Sequence, residues 1–290
     1  GLIVNGVIDW TGGNVTYVPM GADINDYVIA ATAGDTLILG SGIYNVATLN
    51  VDKTVSIIGQ GTIATELVSN SALPALNISA DNVNISNLTI NNLGGGGGSL
   101  VRVAPSVSGI LYRVYFTNVA ILNFNTSDTV ETVGLDIINS EISYFYGQII
   151  SYNFNGDNSI GVRTELTEDN GDNSPIQQFE HVTVLGAGNV SGIAFEVIDS
   201  QTSFTNDINP TFLNSVLWGA LVGGGNGTSV YAHGGVYSTP IIKQSKLTGN
   251  IIQSDSAVVT LDNSSLNGTY TPPASTGTLL YNDSGYFSGN

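Results

Sequence analysis

The feature that most constrains this chain is a two-residue alternation that stops and restarts every few tens of residues. Thr54-Val55-Ser56-Ile57-Ile58-Gly59, Val83 to Ile90, Gly134 to Ser140, Phe179 to Val184, Thr211 to Leu217 and Val259 to Leu266 are its instances. Alternation sends successive side chains to opposite faces, so each stretch reads as a short strand with one buried face. Several share a local form: an apolar residue, one or two small polar residues, then apolar again. Ile85-Ser86-Asn87-Leu88, Ile138-Asn139-Ser140-Glu141-Ile142 and Leu213-Asn214-Ser215-Val216 show it. Their spacing of roughly 20 to 40 residues suits solenoid coils with insertions. Helical patterns do not alternate with these strands, which disfavours a doubly wound fold, and two-residue hairpin turns are sparse. The pattern predicts a parallel β-helix, in which each coil pairs its backbone with the coils on either side.

One helix is expected. Ile24, Tyr27, Val28 and Ala31 fall on one helical face, with Asp23 as N-cap and Asp26 in the first turn. Gly34 suits the left-handed residue that closes such a helix. Leu37-Ile38-Leu39 then reads as a buried strand bounded by glycines. Exposed sheet ends invite edge-to-edge association, and the helix is placed to cover the first coil.

The helix with Gly34-Asp35-Thr36-Leu37-Ile38-Leu39, Gly42-Ile43-Tyr44 and Val55-Ser56-Ile57-Ile58-Gly59-Gln60-Gly61 resembles the opening of pectin-lyase-like right-handed β-helix proteins. Val83 to Ile90 resembles their next coil, and the likeness covers roughly residues 22–92. It implies an all-β chain forming a single right-handed parallel β-helix with a short N-terminal capping helix. The expected division is 1–34 extended segment and capping helix, 35–270 β-helix, and 271–290 C-terminal tail or cap. The scaffold carries lyases, glycosidases, adhesins and phage tailspikes alike, so the likeness speaks to fold rather than chemistry.

Composition narrows the classes. Six Lys and Arg stand against 23 Asp and Glu, a net charge of −17, and only 10% of residues are charged. Such a field disfavours phosphate backbones, so no nucleic-acid partner is expected, and it repels anionic polysaccharide unless a cation intervenes. A hydrophobic content of 42% excludes a disordered chain. With no cysteine there is neither a disulfide framework nor a thiolate metal site. No apolar run approaches the roughly 18 residues of a membrane span, so no membrane partner is expected. The opening residues carry no basic segment leading into an apolar core, and no export signal is expected there.

Candidate chemistry is sparse. Arg163 and Glu165, two apart on one strand, are the candidate catalytic pair, with an ordinary surface ion pair as the alternative. Asp136 with Glu141, Glu165 with Glu168 and Asp169, and Glu196 with Asp199 are possible carboxylate neighbours. His181 is expected to alternate within a strand, and His233, before two glycines, to sit at an open corner. Asn-Gly-Asp-Asn-Ser occurs at Asn155 to Ser159 and again at Asn170 to Ser174. Asp157, Asp169 and Asp172 there are candidate calcium ligands, with plain turns as the alternative, and no cofactor is required. The glycine run Gly94 to Gly98 lacks the Lys of a phosphate loop and reads as a linker between coils. Tyr144, Tyr146, Tyr152, Trp218, Tyr231 and Tyr237 are candidates for stacking sugar rings, although alternation should turn about half of such aromatics inward. Ten Asn-X-Ser/Thr sequons occur, many of them by chance in so Asn-rich a chain.

Together these features point to a non-enzymatic component of a bacteriophage particle: a fibre, spike or decoration protein that binds host-surface glycan. Its expected place is the virion or the extracellular space. Its expected partners are other virion proteins, host polysaccharide and, by resemblance to tailspikes, copies of itself in a homotrimer. The alternatives are a polysaccharide lyase or hydrolase of the same fold, and a secreted cell-surface adhesin.

Overall fold

In the computed structural model, residues 3–4, 7–8, 13–69, 74–93, 97–126, 130–155, 158–167, 175–199, 209–225, 227–233, 239–254, 257–272, 278–282 and 287–288 are described. Asp157, Asp169, Asp172 and Tyr237 lie outside them, as do residues 156–157 of the first Asn-Gly-Asp-Asn-Ser segment, the whole of the second, and residues 94–96 of the glycine run.

The chain winds through three parallel sheets. The first coil runs Asp35–Leu39, Gly42–Asn45 and Leu49–Val51, and the next runs Val55–Ile58, Thr65–Ser69 and Leu76–Ile78. Each strand pairs in parallel with its equivalent one coil later. Among the described residues this path repeats nine times between Asp35 and Thr271, giving a first, a second and a third face. Asn84–Leu93, Leu111–Asn125 and Ser140–Asn153 each serve the first and second faces as one bent strand. Coil length varies from 19 residues, Ile242 to Leu261, to 34, Phe145 to Phe179.

The core follows directly from the alternation. On the first face one inward position per coil stacks as Leu37, Ile57, Ile85, Phe116, Phe145, Phe179, Phe212, Ile242 and Leu261. All are buried, and the four Phe rings follow one another at centroid distances of 5.2, 5.9 and 4.5 Å.

The small polar residues of the repeat make the corners. Asn87, Asn118, Gly147, His181, Asn214, Gln244 and Asn263 turn the chain from first to second face, all at positive φ. A short amide side chain tolerates the left-handed region better than most. Contrary to the sequence expectation, His181 (φ 51°) therefore sits at a corner rather than within a strand. At Gly147 the approach is tighter still, for a Cβ there would lie 2.0 Å from the Val119 carbonyl oxygen. The serine after the corner is buried and structural. Ser215 Oγ accepts the Val182 N–H at 3.2 Å, Ser245 Oγ the Ser215 N–H at 3.0 Å, and Ser264 Oγ the Ser245 N–H at 3.1 Å.

At the start, the helix spans Ile24–Ala30, capped by Asp23, whose Oδ1 accepts the Asn25 N–H at 2.9 Å. Ile24 and Val28 are buried and Tyr27 and Ala31 pack on the core, the face the spacing predicts. The helix ends earlier than expected. Ala31 is its C-cap in an extended conformation, and Gly34 (φ 93°) closes the following turn instead. Lys53 of the next coil donates to the carbonyls of Ile29 and Ala31, placing a cation on the negative end of the helix. Asp35 ties the opening together by accepting the N–H groups of Thr32 and Asn14 at 2.8 and 2.7 Å, and these bonds hold its pKa below the usual carboxylate value.

Candidate functional site

Two clusters of chemistry-bearing side chains lie on the outside of the solenoid. The first grows from a small–apolar–outward–inward pattern on the third face. Gly134-Leu135-Asp136-Ile137, Gly161-Val162-Arg163-Thr164, Ala194-Phe195-Glu196-Val197 and Ser229-Val230-Tyr231-Ala232 repeat it once per coil. The register sets Asp136, Arg163, Glu196 and Tyr231 side by side, and sets Glu165 and His233 two residues further along their strands. Arg163 does not pair with Glu165. Its Nε meets Glu196 Oε2 and its Nη2 meets Glu131 Oε1, both at 2.6 Å, so its partners come from neighbouring coils. His233 Nε2 lies 3.3 Å from Glu196 Oε1, and its ring stacks on Tyr231 at 4.6 Å. His233 thus belongs to the end of a strand, Thr228–His233, not to an open corner.

The carboxyls of this cluster are driven in opposite directions. Burial pushes Asp136 up, outweighing the Ser99 hydroxyl that donates to Oδ2 at 2.9 Å and the nearby charges of Arg163 and Arg102. Its Oδ1 is buried without a hydrogen-bond partner. Burial also works against ionised Glu196, but the hydrogen bond from His233 and the charge of Arg163 prevail and hold it low. Burial likewise opposes the Arg163 cation, and Glu196 and Glu131 outweigh it, so its pKa rises. A guanidinium raised in this way is a clamp rather than a proton acceptor. Glu131, Glu196 and Asp136 were not linked to Arg163 in the sequence reading. The signal that finds Asp136 and Glu196 is the four-residue pattern aligned coil by coil, and Glu131 lies outside it.

Asp136→Asn is expected to stabilise the protein near neutral pH. A group whose pKa is raised by folding stabilises fully only below its unfolded value, about 3.9, and loses that contribution as pH rises through its folded value. The neutral amide removes the loss. Thermal unfolding should show the variant above the parent at pH 7 and the two converging below pH 4; a variant less stable at pH 7 contradicts the assignment.

The second cluster lies at the corner between the first and second faces. Tyr146, Gly147, Gln148, Asn118, His181 and Thr183 line a depression of about 280 Å³. Tyr146 and His181 meet edge to face, with ring centroids 6.4 Å apart, and His181 Nε2 is 3.7 Å from Glu180 Oε1. The wall is therefore rings, amides and a hydroxyl. Of the ring candidates, Tyr146 lies in this depression and Tyr144 is half-buried on the preceding part of its strand, its hydroxyl pushed up by burial and then by Glu180. Tyr152 packs on Phe154 at 4.2 Å, Trp218 is 48% exposed on the second face, and Tyr231 belongs to the first cluster. Among the described residues no group of three or more His, Cys, Asp or Glu side chains is arranged to hold a metal ion. Among them too, no helix is long and apolar enough to cross a membrane.

No protein-family model matches the chain, and no curated protein sequence does. Solved structures do. A PL6 family alginate lyase, AlyGC, superposes with a TM-score of 0.55 at 14% identity, over 96% of this chain and 40% of its own. ORF18 of Geobacillus virus E2 superposes with a TM-score of 0.51 at 14% identity, over 93% of this chain and 59% of its own. The chain thus spans about half the length of these neighbours. At such identities the likeness concerns the path of the backbone. Three stacked parallel sheets, one helix before the first coil and these superpositions together establish that the chain has the pectin-lyase-like parallel β-helix fold.

Proposed function

We propose that the chain is a non-catalytic, carbohydrate-binding β-helix of a virus particle, a fibre, spike or decoration protein that meets host-surface glycan. The observation that carries this reading is the Tyr146–His181 depression. It offers ring faces beside amide and hydroxyl groups, the combination that stacks a sugar and takes up its hydroxyls. The fold shared with a virus protein agrees with a particle component, and other virion proteins and a homotrimer are its partners on this reading. The locked Arg163 speaks against proton abstraction on the third face.

A second reading has one observation in its favour. Asp136 is pushed toward its neutral form and Glu196 held ionised two strands apart, roughly 9–10 Å from Cα to Cα by strand spacing. Two neighbouring carboxyls driven apart in pKa are the elements of acid–base glycoside hydrolysis.

One experiment tests both. The purified chain is titrated with a panel of neutral and anionic oligosaccharides while reducing-end release is followed. Saturable binding without release is expected, weakened about tenfold by Tyr146→Ala, as for an aromatic anchor. Release abolished by Glu196→Gln establishes the hydrolase instead, and absence of binding across the panel removes the glycan reading.

A further inference from the structure

Beyond the depression, the second face carries an uncharged strip. The register aligns Ala120, Gln148, Thr183 and Val216 in one row across four coils, with Gln148 and Thr183 exposed, Val216 half-buried and Ala120 buried. Two residues along each strand, Leu122, Ile150, Leu185 and Trp218 form a parallel row. The three aliphatic side chains are half-buried and the Trp218 ring stands 48% exposed at the end. Gln148 and Thr183 also line the Tyr146–His181 depression, so strip and depression are one continuous surface. Neither row contains a charged residue, although the chain as a whole carries −17.

Dimensions decide what fits. Three inter-strand gaps give a length of roughly 14 Å, and two outward residues on a strand stand about 7 Å apart. The strip therefore offers roughly 100 Å² between residue centres, against about 800 Å² per partner in a stable protein interface. A second copy of the chain would find too little area, whereas a single extended glycan would not. A sugar ring has C–H faces and hydroxyl edges. The aliphatic row and Trp218 suit the faces, and Gln148, Thr183 and Asn118 suit the edges. The gap between coils, about 4.8 Å, is close to the length of one sugar unit. The chain's net charge of −17 disfavours uronate or sulfated chains, and the one cation that continues the row, Lys246 beside Val216, lies on the next coil.

We propose that an uncharged polysaccharide lies across the coils on this face, parallel to the solenoid axis, one sugar per coil from the Tyr146–His181 depression to Trp218. This rests on the glycan-binding reading and gives it a direction, a length and a ligand class.

The test is calorimetric titration of the full chain with cello-, malto- and chito-oligosaccharides from monomer to hexamer, with oligogalacturonates as the anionic control. Affinity should climb to about the tetramer and then level off. Trp218→Ala should lower tetramer affinity roughly tenfold while leaving the disaccharide unchanged, and Trp218→Phe should restore most of it. Tyr146→Ala should weaken both lengths. If Trp218→Ala leaves the tetramer unaffected while Tyr146→Ala weakens it, the track is overturned and the glycan reading stands. If no oligosaccharide binds, both fall. Tighter binding of oligogalacturonate overturns the uncharged class. Sedimentation of the same variants completes the test: an oligomer that Trp218→Ala dissociates, with glycan affinity intact, would make the strip a contact between copies and end the proposal.

Discussion

Phe212→Ala is expected to cost about 3–5 kcal/mol, the range for truncating a fully buried phenylalanine. Phe212 is 0% exposed, stacks on Phe179 at 4.5 Å and 9°, and meets Phe195 edge to face at 4.8 Å. Its neighbours cannot close the gap, because their backbones are held by strand pairing on both sides: Phe179 pairs with Phe212, and Phe212 with Ile242. At a few degrees per kcal/mol for a chain of this size, the melting temperature should fall by about 10 °C. A solenoid is coupled mainly between neighbouring coils, so the damage should be local. Hydrogen exchange should accelerate most in the strands around residues 176–221 and least around 35–69. Phe212→Leu should recover about half of the loss. A uniform change in exchange along the whole chain would mean that coupling reaches further than adjacent coils.

That stack also shows how far the sequence could be read. Inward positions were legible because alternation is local. Thr211 to Leu217 or Phe179 to Val184 declares its buried side without knowledge of any other coil. The corners were legible in part. The small polar residue before the next apolar one is there because the backbone turns at positive φ, and a histidine in that place at residue 181 hid the pattern. Sites are harder, because their members meet only after the coils stack and coil length varies from 19 to 34 residues. Asp136 and Arg163 are 27 positions apart in the chain, and Arg163 and Glu196 are 33 apart, yet they are lateral neighbours. Arg163, two residues from Glu165 in the chain, takes its ion-pair partners Glu131 and Glu196 from other coils. The ring candidates separate for the same reason. Tyr146 and Trp218 share a continuous surface while Tyr231 faces elsewhere, a division set by register rather than by residue type.

The same lateral packing makes Arg163→Met the other change of large expected effect, a loss of about 3 kcal/mol at neutral pH. Arg163 is one-fifth exposed and Glu196 less than one-tenth, so removing the guanidinium leaves Glu196 buried with only His233 beside it. Breaking one side of a buried pair typically costs 3–5 kcal/mol, and the lower end applies because Glu131 is one-third exposed and can turn to water. The pH dependence follows from the carboxyl. In the parent protein Glu196 is held below its ordinary value of about 4.3, so it contributes stability above that value and loses it as pH falls through its lower folded value. In the variant the charge and hydrogen bond of Arg163 are lost and His233 alone opposes burial, so Glu196 rises relative to the parent. Its contribution at neutral pH shrinks accordingly, while protonation at low pH makes parent and variant alike. The deficit of Arg163→Met should accordingly be largest at pH 7 and shrink toward pH 4. The double variant Arg163→Met with Glu196→Gln, which removes both charges, should recover more than half of the loss at pH 7. Denaturant unfolding of parent, single and double variants at the two pH values measures each term. An equal deficit at both, or a double variant no better than the single, would assign the loss to packing of the arginine stem and not to the stranded charge.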